Sequence, residues 1–273
     1  MNPDLILAHT SFLGHTGYAA HAREFFTCLS KTIPTRVRNF TYVDDLSYLT
    51  QYQKDLIIHQ TWDQSPHEVG TPFDKSKYHN ILNIILNTTN HYYFYDEYEG
   101  PKIAYNVWES TRQPNDFFQK ILGFDQFWVP TQWQKIVTAE QGFPMDKIHV
   151  VPEGIDPEVF FPLKTPTRDA LPGPPGVFKF FVSGRWEPRK STEEITRAFL
   201  DEFQDDESVQ LILNVDNPFP VDDCSTTEER LEKYGLNSPN VVVRHFMPFE
   251  EYIRHLQNAD CFVSCSRSEG WNL

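Results

Sequence analysis

The chain has 273 residues, enough to bury a sizeable core in one large domain or two modest ones. Apolar residues make up 40% of it and aromatic residues 15%, which indicates a folded, compact protein. The formal net charge of −14 argues against non-specific binding to nucleic acid or to anionic membranes, because both require a positive surface.

The first part of the chain alternates short apolar runs with segments of helical period. Strands are predicted at 4–10, 35–40, 55–60, 102–108, 125–131 and 147–154. Helices are predicted at 19–32, 114–124 and 131–142. The aromatic-rich segment 91–100 is interpreted as a surface hairpin or packing element, with an acceptor-binding wall as the less favoured alternative. This alternation is typical of βαβ units around a parallel sheet.

The composition changes after Pro162. The stretch 163–176 holds four prolines and two glycines, which indicates a linker or an exposed loop. The alternation then restarts, with strands predicted at 177–185, 208–216, 240–246 and 261–265, and helices at 191–203, 226–235 and 249–259. A capping box from Ser191 to Glu194 is expected to begin the first of these helices. We therefore expect an α/β fold with a Rossmann-like domain at 1–162, a linker at 163–176, and a second, incomplete Rossmann-like domain at 177–273.

Two loops combine glycine with the start of a helix. Gly14 and Gly17, in "TSFLGHTGYAA", let the backbone approach a ligand, and the helix N-terminus that follows favours an anion. They lack the three-glycine spacing of the dinucleotide fingerprint, and an ordinary tight turn explains them equally well. In "VSGRWEPRKSTEEITRAF", Arg185 and Lys190 flank a turn after a strand that ends at Gly184. Two cations beside a helix N-terminus favour a metal-free phosphate or diphosphate site over a solvated basic turn.

A third loop, "SRSEGWNL", follows the last predicted strand and carries one carboxylate, Glu269. That carboxylate could accept hydrogen bonds from sugar hydroxyls, and the adjacent Gly270 could expose backbone N–H groups to a ligand. Taken alone, the loop is better explained as a surface turn with an exposed glutamate.

Three segments occur in order along the chain: "VPEGIDPEVFFP", "FVSGRWEPRKSTEEITRAF" and "ADCFVSCSRSEGWNL". Together they resemble the large family of retaining, nucleotide-sugar-dependent glycosyltransferases with the GT-B fold, the glycosyl transferases group 1 type. "YNVWESTRQPNDFF" followed by "FWVPTQWQKIV" is similar to a branch of that family with a W-E-S/T-x-x-x-P segment. The resemblance implies two Rossmann-like domains that face a cleft, and sugar transfer with retention of anomeric configuration.

The resemblance also implies roles for single residues. Arg185 and Lys190 would hold the donor diphosphate and stabilise the leaving nucleotide, and Glu269 would contact hydroxyls of the donor sugar. The other implied donor-binding residues are Gly14, Gly17, Gly184, Phe246, Met247, Gly270 and Trp271. This sequence departs from the family at Glu153, where asparagine is usual, and at Asn272, where glycine is usual. The second glutamate of the family's E-x7-E pattern would fall beyond Leu273, so we expect an enzyme truncated at its donor site.

Fewer signals point to an acceptor site. Candidates for lining it, all at or near predicted strand ends, are His59, Trp62, Trp108 and Glu109. No D-x-D sequence occurs in the chain, so we expect no required metal ion or cofactor. The resemblance implies a UDP- or GDP-sugar as donor substrate. The acceptor, whether glycan, lipid or protein, is left open.

The remaining expectations concern location and rival functions. No apolar run approaches the ~20 residues of a membrane-spanning helix, and the N-terminus lacks the features of a signal peptide. The four cysteines, Cys28, Cys224, Cys261 and Cys265, are expected to be buried reduced thiols of a cytoplasmic protein. A half-sheet exposed by truncation could drive homo-oligomerisation. The alternatives are an inactive or nucleotide-binding-only fragment, a sugar-nucleotide epimerase or phosphorylase of the same shape, and, less favoured, a nicotinamide dehydrogenase.

Overall fold

The computed structural model of this chain describes residues 2–14, 16–43, 45–60, 68–87, 99–217, 222–245 and 247–271. The chain forms two compact units, one of residues 1–156 with 269–273 and the other of residues 157–268. The division lies between Asp156 and Pro157, ahead of the proline-rich stretch at 163–176. Most of the hairpin predicted at 91–100 lies outside the described residues.

In its described residues, the first unit contains one parallel sheet of six strands. The strands are β1 (Leu5–Thr10), β2 (Thr35–Asn39), β3 (Ile81–Leu86), β4 (Lys102–Tyr105), β5 (Gln126–Val129) and β6 (Ile148–Val150). They lie in the order β2-β1-β3-β4-β5-β6. The helices are α1 (Gly17–Leu29), α2 (Gln51–Leu56), α3 (Asn115–Ile121) and α4 (Gln132–Glu140). The carboxyl ends of all these strands meet at one sheet edge, which is where open α/β folds bind ligands.

The second unit repeats the plan with four strands in its described residues. They are β7 (Phe178–Arg185), β8 (Val209–Asp216), β9 (Val241–Arg244) and β10 (Cys261–Phe262), in the order β10-β7-β8-β9, and all of their pairings are parallel. The helices are α5 (Thr192–Phe203), α6 (Thr227–Lys233) and α7 (Phe249–Asn258). The proline-rich stretch contains one short 3-10 turn, Arg168–Ala170, although no regular structure was predicted there.

Continuous apolar runs explain both sheets. A parallel strand is covered on both faces, so its side chains are apolar in succession rather than in alternation. In β8, Leu211, Ile212 and Leu213 follow one another and are at most 1% exposed. In β3 of the first unit, Ile84, Ile85 and Leu86 likewise follow one another and are at most 2% exposed. Each such side chain contributes about 1.5–3 kcal/mol to folding relative to full exposure.

Three local predictions differ from the structure. The strand predicted at 55–60 is present only in part. Thr50 and Gln53 form a capping box that begins α2, and this helix runs to Leu56. After it, Ile57, Ile58 and Gln60 form isolated β-bridges. The capping box predicted at Ser191 is wrong: the serine adopts left-handed backbone angles, φ 55° and ψ 33°, and its side chain makes no capping bond. Strand β3 was not predicted, because the periodicity of a short continuous apolar run such as "ILNIIL" does not distinguish a buried strand from a segment of buried helix.

The cysteines are free thiols, but the prediction that they are buried is wrong. Cys28 and Cys265 are exposed, and Cys224 and Cys261 are partly exposed. The strand predicted at 261–265 pairs with β7 only through Cys261 and Phe262, so the residues after it leave the sheet. Within the described residues, no helix combines the length and the apolar character needed to cross a membrane.

Candidate functional site

The turn after β7 carries the residues predicted to bind a diphosphate. We call residues 184–191 the cationic turn. Gly184 has a φ of +146°, which favours glycine, and an added Cβ there would lie 4.0 Å from the Lys190 side chain. Pro188–Lys190 forms a 3-10 turn, and Ser191 then joins it to α5 in the left-handed conformation. The sequence therefore brings Gly184, Arg185 and Lys190 to the carboxyl end of one strand, as predicted.

A buried tryptophan anchors the cationic turn. Trp186 is 5% exposed and stacks on Tyr234 with ring centroids 6.2 Å apart and an interplanar angle of 8°. The buried Asn217 donates a hydrogen bond of 2.8 Å from Nδ2 to the Trp186 carbonyl. These contacts fix the backbone directly after Arg185, so the arginine side chain starts from a rigid base.

A carboxylate that was not predicted as a site residue, Glu187, forms ion pairs with two arginines of the turn. Glu187 Oε1 lies 3.0 Å from Arg189 Nη2 and 3.7 Å from Arg185 Nη2. Arg185 is about half exposed, whereas Glu187 and Arg189 are mostly buried. Of the two ion pairs that Glu187 makes, the one with Arg189 is therefore shorter and stronger than the one with Arg185.

The loop that carries Glu269 is bonded to this turn through its preceding residues. Arg189 Nη1 donates a hydrogen bond of 2.8 Å to the Ser268 carbonyl, and the Arg267 amide donates one of 2.8 Å to the Arg189 carbonyl. Glu269 and Trp271 are partly buried and Gly270 is buried. A Cβ on Gly270 would lie 2.2 Å from Val107 Cγ1, so this glycine permits a close approach.

The residues predicted to pack on a nucleobase give a mixed result. Met247 is 7% exposed, so little of its side chain is available to a ligand. Phe246 lies outside the described residues. A single buried side chain at the end of the β9 region is also what an ordinary core position would show, so Met247 carries no argument about the base.

Two side chains, those of Tyr48 and Asn39, accept hydrogen bonds from the glycine loop of the first unit. Gly14 has a φ of +103°, and its amide donates a hydrogen bond of 2.8 Å to Tyr48 Oη. Asn39 Oδ1 accepts hydrogen bonds from two further amides, those of Phe12 at 2.9 Å and Leu13 at 3.1 Å. These three loop amides already have partners within the protein. An anion at this loop would therefore have to bind the helix end that begins at Gly17.

Arg23 completes the support of the glycine loop. It donates from Nη1 to the carbonyls of Phe12, at 2.9 Å, and Gly14, at 2.7 Å. Its guanidinium also lies 5.1 Å from the Tyr48 ring centroid. Burial lowers the pKa of Arg23 from its ordinary value, while the nearby Tyr48 opposes that shift. Arg23 therefore stabilises the loop by donating hydrogen bonds to two of its backbone carbonyls.

The residues predicted for an acceptor site that the structure describes belong to the first unit. His59 is exposed, and its backbone amide bonds the Thr71 carbonyl at 2.9 Å. Trp108 is partly buried, and its Nε1 donates to Ser110 Oγ at 2.9 Å and to the Arg112 carbonyl at 3.1 Å. Glu109 is exposed, and Trp62 lies outside the described residues. Trp108 and Glu109 follow β4, and His59 follows α2.

A buried ionisable pair in the first unit was not predicted. His21 Nδ1 and Glu153 Oε2 lie 3.0 Å apart, and both side chains are at most 4% exposed. The His21 ring packs edge-on against Tyr105 at 4.8 Å. Burial, with a smaller contribution from Glu153, raises the pKa of Tyr18 well above its ordinary value. The one sequence signal for this pair was glutamate in place of the family's asparagine at position 153. In the described part of the chain, no three His, Cys, Asp or Glu residues are grouped as metal ligands.

The sequence matches no protein-family model and no curated protein. Solved structures do match. HepE from Anabaena, in complex with UDP-glucose, has a TM-score of 0.68 at 13% identity, over 96% of this chain and 74% of its own. The pneumococcal O-GlcNAc transferase GtfA, in complex with UDP and GlcNAc, has a TM-score of 0.67 at 10% identity, over 100% of this chain and 81% of its own. Sucrose-phosphate synthase from Thermosynechococcus elongatus has a TM-score of 0.64 at 16% identity, over 99% of this chain and 77% of its own. These proteins have the GT-B fold, so the predicted α/β, GT-B-like fold class is confirmed.

Proposed function

We propose that this chain is a glycosyltransferase that transfers a sugar from a nucleotide-sugar donor, with Arg185 and Lys190 binding the donor diphosphate. The observation that carries the proposal is the cationic turn, where a half-exposed arginine and a lysine stand at the carboxyl end of a parallel strand and before a helix. The structural relatives support it, because HepE was solved with UDP-glucose and GtfA with UDP and GlcNAc.

The proposed chemistry depends on charge that develops as the glycosidic bond to the diphosphate breaks. Arg185 and Lys190 would stabilise that charge on the leaving group, as preorganised cations do in a site with little water. The rigid anchor at Trp186 serves this purpose, because it limits how far the arginine must reorganise. Glu269 would accept hydrogen bonds from hydroxyls of the donor sugar, and the Gly270 backbone would approach the sugar closely.

Two finer features belong to the same proposal. We infer that transfer retains the anomeric configuration, with attack on the same face as the leaving diphosphate and no protein nucleophile. We also infer that no divalent ion is required, because two protein cations in one turn would supply the neutralising charge, and the sequence has no D-x-D. The acceptor could be a glycan, a lipid or a protein, and the donor nucleotide could be UDP or GDP.

Calorimetry with UDP, GDP, UDP-glucose, UDP-GlcNAc and GDP-mannose tests the proposal. Charged hydrogen bonds contribute about 1.5–3 kcal/mol, so Arg185→Ala should weaken the best ligand about ten- to a hundredfold. Arg197→Ala is the matched control, because Arg197 lies on the exposed face of α5 and pairs with Glu193. Unchanged affinity in Arg185→Ala, or no binding of any of these ligands to the unaltered chain, would refute the assignment.

Product analysis tests the finer features. Incubation of the bound sugar nucleotide with a glycan array, with and without EDTA, should give an α-linked product from an α-linked donor and equal yields in both arms. A β-linked product would refute retention, and loss of transfer in EDTA would refute metal independence. Conversion of the donor to an epimer without any acceptor would identify an epimerase instead.

A further inference from the structure

Arg189 belongs to the cationic turn and joins it to the loop that carries Glu269. Three of its polar contacts are relevant here. Its Nη2 lies 3.0 Å from Glu187 Oε1, its Nη1 donates to the Ser268 carbonyl at 2.8 Å, and its own carbonyl accepts from the Arg267 amide at 2.8 Å. The side chain is 27% exposed. Both its main chain and its guanidinium are therefore committed to the two residues that precede Glu269.

An ion pair also joins the loop to the start of α5. The Arg267 guanidinium pairs with Glu194 in the first turn of α5. That pair is exposed on both sides, so by itself it contributes little. The Arg189 contacts are better shielded, and their acceptor on the loop is a backbone carbonyl, which moves only if the loop backbone moves. Arg189 is therefore the main polar tie between the turn and the loop.

The position of Glu187 between two arginines suggests how a bound anion could affect the contact between Arg189 and Ser268. Glu187 Oε1 is 3.7 Å from Arg185 and 3.0 Å from Arg189, so one carboxylate serves two guanidinium groups. An anion that draws Arg185 toward itself removes one of the two cations that share the carboxylate. Glu187 then interacts with Arg189 alone, and this stronger ion pair holds the Arg189 side chain more firmly in the position from which it bonds Ser268.

We infer that Arg189 is a positioning residue that couples occupation of the diphosphate site to the placement of Arg267 and Ser268, the two residues that directly precede Glu269. The ligand class is a nucleoside diphosphate, and the coupled group is the sugar attached to it. Arg189 acts through Arg267 and Ser268 rather than on the ligand. This inference rests on the proposed function.

Two ligands separate positioning from direct binding: UDP, which lacks the sugar, and UDP-glucose. In Arg189→Ala, the dissociation constant of UDP should stay within about threefold of its value for the unaltered chain. The ratio of the UDP-glucose dissociation constant to the UDP dissociation constant should rise about tenfold, because one charged hydrogen bond is lost. Arg185→Ala should weaken both ligands and leave that ratio unchanged. Arg189→Lys should show an intermediate ratio, because an ammonium group cannot reach two acceptors as a guanidinium fork does.

Hydrogen exchange provides a readout that does not depend on turnover. UDP should slow exchange in peptides covering 185–195 and 264–271 of the unaltered chain. In Arg189→Ala it should slow exchange only in 185–195, and exchange in 264–271 should be fast with or without UDP. Arg197→Ala should behave as the unaltered chain does, which separates the effect from the loss of any arginine near α5.

The outcomes are distinguishable. If the unaltered chain binds neither UDP nor any sugar nucleotide, the proposed function fails, and the inference fails with it. If UDP binds and Arg185→Ala weakens it, but Arg189→Ala changes neither the ratio nor exchange at 264–271, the inference alone fails. If Arg189→Ala weakens UDP as strongly as UDP-glucose, Arg189 is a diphosphate ligand and the positioning role is wrong. A thermal unfolding curve for each variant confirms that the comparison is between folded proteins.

Discussion

The buried histidine of β1 gives a quantitative prediction for stability against pH. His9 is fully buried, and its Nε2 lies 3.1 Å from Asn83 Oδ1. The two Asn83 Nδ2 hydrogens go to the carbonyls of Glu99 and Pro101, so Oδ1 is the acceptor, and the neutral His9 ring donates to it. Burial lowers the pKa of His9 from 6.5 to about 3, and the charge of Arg38 adds to this, while the bond to Asn83 opposes it.

The sign of the effect follows from these two pKa values. The pKa of His9 is lower in the folded chain than in the unfolded chain. Between pH 6.5 and 3, His9 is therefore protonated in the unfolded chain but neutral in the folded chain. The stability contributed by neutral His9 is therefore fully present above about pH 6.5 and is lost as the pH falls toward 3. Between pH 7 and pH 4.5 this loss amounts to about 2.5 kcal/mol.

Urea denaturation followed by tryptophan fluorescence, at several pH values from 4.5 to 7, measures the effect. His9→Gln keeps an amide donor for Asn83 but has no proton to gain. The difference in unfolding free energy between the unaltered chain and this variant should therefore shrink by about 2.5 kcal/mol from pH 7 to pH 4.5. His149→Gln, at an exposed position of β6, controls for the loss of a histidine. A difference that does not change with pH would refute the reasoning.

Two further predictions concern the glycine loop and the loop of Glu269. Asn39→Ala removes the acceptor of two buried loop amides, so the unfolding free energy measured by chemical denaturation should fall by about 2–5 kcal/mol. A fall below about 1 kcal/mol would contradict the assigned role. Gly270→Ala would place a Cβ 2.2 Å from Val107 Cγ1, so it should cost about 1–3 kcal/mol in thermal unfolding and weaken UDP-glucose, whereas Gly154→Ala, with no atom within 4 Å, should do neither; equal effects at both glycines would refute the close approach.

Most of the fold was predictable because it depends on patterns that are local in sequence. Runs such as "VFKFFVSGR" and "SVQLILNVD" are short, apolar and bounded by turn residues, and they became β7 and β8. The errors arose where two local signals competed. At 50–60, the capping box of Thr50 outweighed the β-branched pair Ile57 and Ile58, which form only isolated bridges instead of a full strand.

The candidate site was predictable only in part. Residue types and spacing pointed to Arg185 and Lys190, because cations beside a helix start are unusual in so acidic a chain. The bond from Arg189 to Ser268 joins residues far apart in sequence, so no local pattern could predict it. The same holds for the pair of His21 and Glu153, which meet only when α1 packs near the segment that follows β6.

The position of β7 inside its sheet affects how the chain is made. Its neighbours are β8, which is synthesised next, and β10, which is synthesised only after three further helices and two strands. Until Cys261 and Phe262 emerge from the ribosome, the backbone of Phe180 and Phe181 has no strand beside it on that side. An open, aromatic strand edge readily pairs with another nascent chain. Slow translation between β8 and β10 should therefore favour aggregation, and a chaperone that covers this edge should raise the yield of folded protein.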